Sequence, residues 1–147
     1  NFIIIGDGVA KTALEAAMPN AHFLGHINHE RLSVLYASAD VFLFPSDTES
    51  YGNVVVEAMA SGLPCVIANG GGSGSLVEHG INGFTCPPRH PLTYLQYIEQ
   101  LLNNNNLRQQ IIDNGLTYAR QLDWDRLADR YFDELSALCD EPIPVFI

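Results

Sequence analysis

Short, continuously apolar runs alternate with helix-period stretches as far as Cys86, and helix-period stretches alone fill the rest of the chain. Phe2–Ile5 is an apolar run stopped by Gly6-Asp7-Gly8, a pattern that reads as a buried strand and a tight turn. Val9–Met18 is rich in Ala and Leu and helical, closed by Pro19-Asn20, and His22–Leu24 is a second strand before Gly25. Leu32, Leu35, Tyr36 and Ala39 recur at i, i+3, i+4 and i+7, which predicts an amphipathic helix over about His29–Ser38. Asp40–Phe44 is a strand stopped by Pro45. Asn53–Ser61 is a helix ended by Gly62 and Pro64, and Cys65–Ala68 is a further buried strand. The loop Asn69–Ser75 follows, and Gly83–Cys86 is the last strand.

From Pro91 onward three helical faces appear. Leu95, Ile98 and Leu102 make the first; Leu107, Ile111 and Tyr118 the second; Trp124, Leu127, Tyr131, Leu135 and Leu138 the third. The polar run Asn103–Asn106 predicts a loop between the first two helices. Continuously apolar strands alternating with helices predict a parallel sheet covered on both faces. The fold expected is therefore α/β, Rossmann-like, with helices on both faces and a helical C-terminal cap. Residues 1–139 form its one domain and 140–147 a tail. Ligands of such sheets bind at the carboxyl ends of the strands, which directs attention to Gly6–Gly8, Ser46–Gly52 and Asn69–Ser75.

Composition narrows the classes of function. A chain of 147 residues, 47% hydrophobic and 16% charged, is neither a disordered acidic tail nor long enough for two lobes. Its net charge of −10 argues against nucleic acid or an anionic membrane surface as the main partner. No apolar run approaches the roughly 18–20 residues of a membrane helix, and there is no signal segment. Cys65, Cys86 and Cys139 are few and far apart, so neither a disulfide framework nor a zinc site is read, and a reduced, cytoplasmic setting is expected. Before residue 89 the only Lys or Arg residues are Lys11 and Arg31. An anion bound in that half must be held largely by backbone N–H groups.

Glu49 lies in the loop after a strand, and Glu57 a turn or so into the helix that follows. Between them Tyr51, Gly52 and Asn53 occupy the helix N-terminus, whose first N–H groups have no partner within the helix. Gly52 has no Cβ, so a ligand can approach the backbone closely. A diphosphate docked there meets unpaired donors and the positive end of the helix dipole. Glu57 is then placed to accept two hydrogen bonds from a ribose, and Glu49 to face whatever hangs from the second phosphate. Two carboxylates at this spacing serve equally as dipole compensation, so the residues alone leave both readings open.

The block P-S-D-T-E-S-Y-G-N-V-V-V-E-A-M-A-S-G-L-P-C-V-I-A, Pro45 to Ala68, resembles the signature of retaining glycosyltransferases of the GT-B fold, group 1 (family 4). Their E-x7-E motif falls on Glu49 and Glu57. F-I-I-I-G-D-G, F-L-G-H, L-Y-A-S-A-D-V-F-L-F-P-S, Gly71-Gly72 and E-H-G-I-N-G-F stand around it in family order, and the resemblance runs to about residue 135. It implies the C-terminal, donor-binding lobe of such an enzyme, lacking that lobe's first strand and helix. Glu57 would bind the ribose of a nucleoside-diphosphate sugar, and Glu49 would act as the catalytic residue by holding the transferred sugar. The backbone of Tyr51, Gly52 and Asn53 would hold the diphosphate, and the segment Gly25-His26-Ile27 would lie against the base. The reaction implied is glycosyl transfer to an acceptor hydroxyl with retention, with no cofactor and no essential metal. The partners implied are the nucleotide-sugar donor, an N-terminal acceptor-binding lobe missing from this chain, and a lipid or glycan acceptor, but no nucleic acid. Through that lobe the protein would sit in the cytoplasm, peripheral on the inner face of the membrane. A donor-binding module without catalysis, and a nucleotide-sugar epimerase on the same fold, are the alternatives.

Two features depart from the family. Ser75 stands where many relatives have Glu after the Gly-Gly pair, and the Arg and Lys that neutralise the donor phosphates fall before the segment matching Phe2–Ile5. Lys11 is not their equivalent. Other signals are weaker. Gly6-Asp7-Gly8 lacks the third glycine of a dinucleotide fingerprint, and Gly70–Gly74 has no Gly-Lys-Ser/Thr after it. Asp123-Trp124-Asp125 reads as a helix N-cap rather than a metal motif. Of His22, His26, His29, His79 and His90 only His22 and His26 stand four apart, and they flank the strand His22–Leu24 rather than share a helix face, so a metal cluster is not read.

Overall fold

Four apolar residues in a row, Cys65–Ala68, form the most enclosed strand of the molecule, with every residue buried. The computed structural model describes residues 1–140, so most of the expected tail, residues 141–147, lies outside the described residues. The chain forms two compact units, Asn1–Ser38 and a second from Ala39 onward.

The first unit holds β1 (Ile3–Ile5), α1 (Lys11–Ala17), β2 (His22–Gly25) and α2 (His29–Ser38). β1 and β2 pair in parallel, Ile3 with His22 and Ile4 with Phe23, with a register shift before Ile5 meets Gly25. The strands stand where the apolar runs predict them, but β1 is not buried as expected. Ile3 is 48% and Ile5 39% exposed, and only Gly25 and Tyr36 are buried in the whole unit. Two strands and two short helices supply too little surface to cover both faces of a parallel pair.

The second unit holds β3 (Phe42–Phe44), α3 (Asn53–Ala60), β4 (Cys65–Ala68), a 3-10 turn (Gly72–Leu76), β5 (Phe84–Cys86), and the helices α4 (Pro91–Asn103), α5 (Asn105–Gln121) and α6 (Trp124–Asp140). Its strands run parallel in the order β3-β4-β5, with Phe42 opposite Cys65 and Val66 opposite Phe84. The strands thus fall into a parallel pair and a parallel triplet, as an α/β, Rossmann-like lobe requires. Central β4 is buried because it has a neighbour on each edge and helices against it. Val66, Ala68, Phe84, Cys86, Tyr94, Leu101 and Ile111 form one apolar cluster between the sheet and α4 and α5. On α3, Val55, Ala58 and Met59 are buried, and Met59 packs against the bare backbone of Gly115 on α5.

Two expectations change here. Asn103–Asn106 is not a loop, since α4 ends at Asn103 and α5 begins at Asn105. Asn104 makes the whole junction, its Oδ1 accepting from Leu107 N at 3.1 Å, a cap that lets one polar residue end one helix and start the next. The third helical face is formed but not covered. Leu127, Tyr131, Leu135 and Leu138 are 38%, 60%, 39% and 65% exposed. Asp123 accepts from the amides of Asp125 and Arg126 at 2.9 and 3.3 Å, as an N-cap should. Among the described residues no helix is long and apolar enough to cross a membrane.

Candidate functional site

β3 ends at Phe44, and Pro45 turns the chain over the carboxyl edge of the triplet sheet into the Ser46–Gly52 loop. Gly52 then caps α3 at φ 92°, ψ 52°, a left-handed conformation that L side chains rarely adopt. A side chain there is excluded twice over, because its first carbon would stand 2.7 Å from Ser73 Cβ. The buried glycine therefore brings the 3-10 turn directly against the start of α3. Tyr51, 45% exposed, and the exposed Asn53 flank it. No acidic residue occupies the first turn of α3, and of its N-terminal amides Val55 N donates back to Gly52 O at 2.9 Å.

Glu49 and Glu57 differ in setting. Glu49 is exposed on the loop, and its Oε1 accepts from Ser46 Oγ at 3.3 Å. Glu57 is half-buried in α3, and no hydrogen bond or ion pair holds its carboxylate among the described residues. The backbone of the loop is held from the other side by Gly70–Gly72. Gly72 N donates to Glu49 O at 2.6 Å, and side-chain carbons on Gly71 and Gly72 would run into the backbone of Glu49 and Ser50. Ser73, fully buried, directs its Oγ to Gly70 O at 3.4 Å. The Asn69–Ser75 segment, which carries the Gly71-Gly72 pair, is thus a backbone clamp on the stretch that carries Glu49. Ser75 is exposed and bonds to Gly72 O at 2.7 Å, inside its own turn.

Two thiols are buried in the triplet sheet, Cys65 at the start of β4 and Cys86 at the end of β5, and neither is poised for chemistry. Burial pushes the Cys65 thiol far up and the Cys86 thiol up to about 11. Burial, and then the neighbouring Tyr51, raises the Tyr118 phenol above its usual value.

In the first unit, Gly25, His26 and Ile27 form the turn after β2. A residue with no role assigned from the sequence organises it. Asp7 takes His26 N–H on Oδ2 at 2.9 Å and the Lys11 ammonium on Oδ1 at 2.6 Å, while Gly25 O accepts from Gly6 N at 2.9 Å. The His26 amide is thereby committed to Asp7. The G-D-G turn was the available signal, since an aspartate between glycines after a strand has little to do except bond to backbone.

The Lys11 hydrogen bond, and next the His26 amide, hold the Asp7 carboxyl below its ordinary 3.8. A carboxylate lowered in this way stabilises the fold above its unfolded value, and the effect disappears as pH falls through the folded one. The turn is expected to loosen below about pH 3.8, with hydrogen-exchange protection of the His26 amide lost there, and lost already at neutral pH in Asp7→Ala. Unchanged protection of the His26 amide in Asp7→Ala at neutral pH would refute this role for Asp7.

The family described as "Glycosyl transferases group 1" matches residues 1–117, and the chain belongs to it. The sulfoquinovosyl transferase SQD2 of Arabidopsis thaliana is 37% identical over 126 residues, which is 82% of this chain and 24% of that protein. A GDP-mannose-dependent alpha-mannosyltransferase of Mycolicibacterium smegmatis is 36% identical over 100 residues, 63% of this chain and 27% of that one. Among solved structures, Anabaena HepE in complex with UDP-glucose superposes with a TM-score of 0.81 at 28% identity, over 92% of this chain and 40% of that one. The fold is that of the C-terminal lobe of GT-B glycosyltransferases, and the chain spans about a quarter to two-fifths of the length of the relatives first matched.

Proposed function

We propose that this chain is the donor-binding half of an enzyme that transfers a sugar from a nucleoside-diphosphate sugar to an acceptor hydroxyl with retention of configuration. One observation carries the reading. An exposed Glu49 and a half-buried, unpaired Glu57 stand on either side of a left-handed glycine that opens the N-terminus of α3. The helix end, with the amides of Tyr51, Gly52 and Asn53, takes the diphosphate, so neither a metal nor a lysine is required of these residues. Glu57 takes the ribose hydroxyls and Glu49 the hydroxyls of the transferred sugar. UDP-glucose bound to a protein of the same fold supports a nucleotide-sugar ligand. The acceptor is proposed to be a lipid or glycan bound by a second lobe, and the compartment to be the cytoplasm.

Two measurements test this. A panel of UDP-, GDP- and ADP-sugars should contain one that raises the melting temperature, since a ligand bound only by the folded state stabilises it. With that sugar, Glu57→Ala is expected to weaken binding by about 1.5–3 kcal/mol, the cost of a lost charge-assisted hydrogen bond. Calorimetry giving an unchanged Kd would remove Glu57 from the ribose.

A further inference from the structure

Among the described residues β5 is an outer strand of the triplet sheet, paired with β4 on one side only. Cys86 turns its carbonyl toward the β4 side, where it accepts from Asn69 N, just past β4, at 2.7 Å. Thr85, one residue earlier, therefore presents its N–H to the open edge, as alternate residues of a parallel ladder do. An edge N–H needs a partner from elsewhere, or it invites another strand. Here the partner is an imidazole: Thr85 N donates to His79 Nδ1 at 3.2 Å.

That bond assigns the tautomer of the ring. A backbone N–H can only donate, so Nδ1 carries no proton and the neutral ring holds its proton on Nε2. Nε2 lies 3.3 Å from the Tyr97 hydroxyl of α4, to which it donates. The Thr85 hydroxyl, 3.1 Å from the same Nδ1, adds a second donor. The imidazole stands edge to face with Phe84 and Tyr97, at centroid distances of 5.5 and 5.2 Å, and those two rings stack on each other at 4.4 Å. His79 thus ties β5 to α4 from the segment that runs on from the 3-10 turn Gly72–Leu76. The groups that face the ring are Thr85 and Phe84 of β5 and the Tyr97 phenol of α4. On its own segment Glu78 is exposed, and among the described residues no carboxylate forms an ion pair with the imidazole.

We propose that His79 is a pH-sensitive latch on the outer edge of β5: the neutral imidazole closes the edge, and its protonation opens it. An imidazolium carries a proton on both nitrogens, so Nδ1 no longer accepts and two N–H groups face each other. The Thr85 hydroxyl can turn to accept from the new N–H, but the Thr85 amide is then left without a partner. Attraction of the cation to the two aromatic rings offsets the smaller part of this loss at an exposed site. The closed state binds no proton at Nδ1 and the open state does. The latch therefore holds fully above the ordinary imidazole value, about pH 6.5, and is lost as pH falls below it. His79 is exposed, so protons reach it from solvent without any rearrangement.

Amide exchange of the 147-residue chain at about pH 7.5 and about pH 5.5, corrected for the intrinsic pH dependence of exchange, tests the latch. Wild type, His79→Asn and His79→Phe are compared. An opening that frees an ordinary imidazole becomes about tenfold more populated between those two pH values. Protection of the Thr85 amide in wild type should therefore fall about tenfold. Protection of the Asn69 amide, which bonds to the Cys86 carbonyl and to no titratable group, should stay within about twofold and shows that the sheet is folded in each variant. His79→Asn keeps an acceptor oxygen in the place of Nδ1 and does not titrate, so it should protect Thr85 equally at both pH values. His79→Phe keeps a ring but no acceptor, so Thr85 should be poorly protected at both. Wild-type Thr85 protection that moves no more than that of Asn69 overturns the proposal. So does a His79→Asn protein as pH-dependent as wild type, and so does full protection of Thr85 in His79→Phe.

Discussion

Gly72→Ala is expected to lower the melting temperature by about 10 °C and to abolish nucleotide-sugar binding. The added carbon would overlap the carbonyl of Ser50, and that neighbour is backbone, which cannot turn aside as a flexible side chain would. Overpacking of this kind costs about 3 kcal/mol, near the upper end of its usual range, and in a chain of this size each kcal/mol corresponds to roughly 3 °C. Relief would require the 3-10 turn to withdraw from the Glu49–Ser50 stretch, breaking the 2.6 Å bond from Gly72 N to Glu49 O. Gly74→Ala is the control. Its added carbon meets Asn69 Oδ1 at 3.6 Å, an ordinary contact, and the melting temperature should move by no more than about 2 °C. If the two variants melt together, the backbone clamp is not what holds the loop.

Glu49→Ala is expected to depress turnover on the order of 10²-fold while leaving nucleoside-diphosphate affinity within about threefold, because misplacement of the reacting sugar costs rate rather than nucleotide binding. The structure gives the contrast its basis. Glu49 is exposed on the clamped loop, touched by Ser46, whereas Glu57 is fixed by the helix that presents it. A variant that loses affinity and keeps its turnover would exchange the roles of the two glutamates. Steady-state kinetics on both substitutions, alongside calorimetry with the nucleoside diphosphate alone, separates these outcomes.

Much of the architecture was legible because its causes are local. His29–Ser38 and Cys65–Ala68 have the predicted boundaries, since periodicity and turn residues act within a few positions. The loop–glycine–helix arrangement of Glu49, Gly52 and Glu57 was legible for the same reason, being a single stretch from strand end to helix start. The Asn103–Asn106 run misled because a polar cluster reads as a loop, while a single well-capped residue suffices to turn one helix into another. Other features were out of reach. Asp7 and the His26 amide are nineteen positions apart, and Gly72 and Glu49 lie on different strand-end loops.

The sequence by itself determined the alternation of strand and helix, the parallel α/β class and the chemistry grouped between Pro45 and Ala68. Each of these follows from the order of neighbouring residues. Tertiary structure alone decided that Gly70–Gly72 grips the loop and that Asp7 takes up the His26 amide. It also decided that, among the described residues, Ile3, Ile5, Leu127, Tyr131, Leu135 and Leu138 stay exposed. A pattern of apolar positions specifies which side of an element seeks cover. Whether cover is found depends on which surfaces the rest of the chain brings to it, and that is a property of the packed structure.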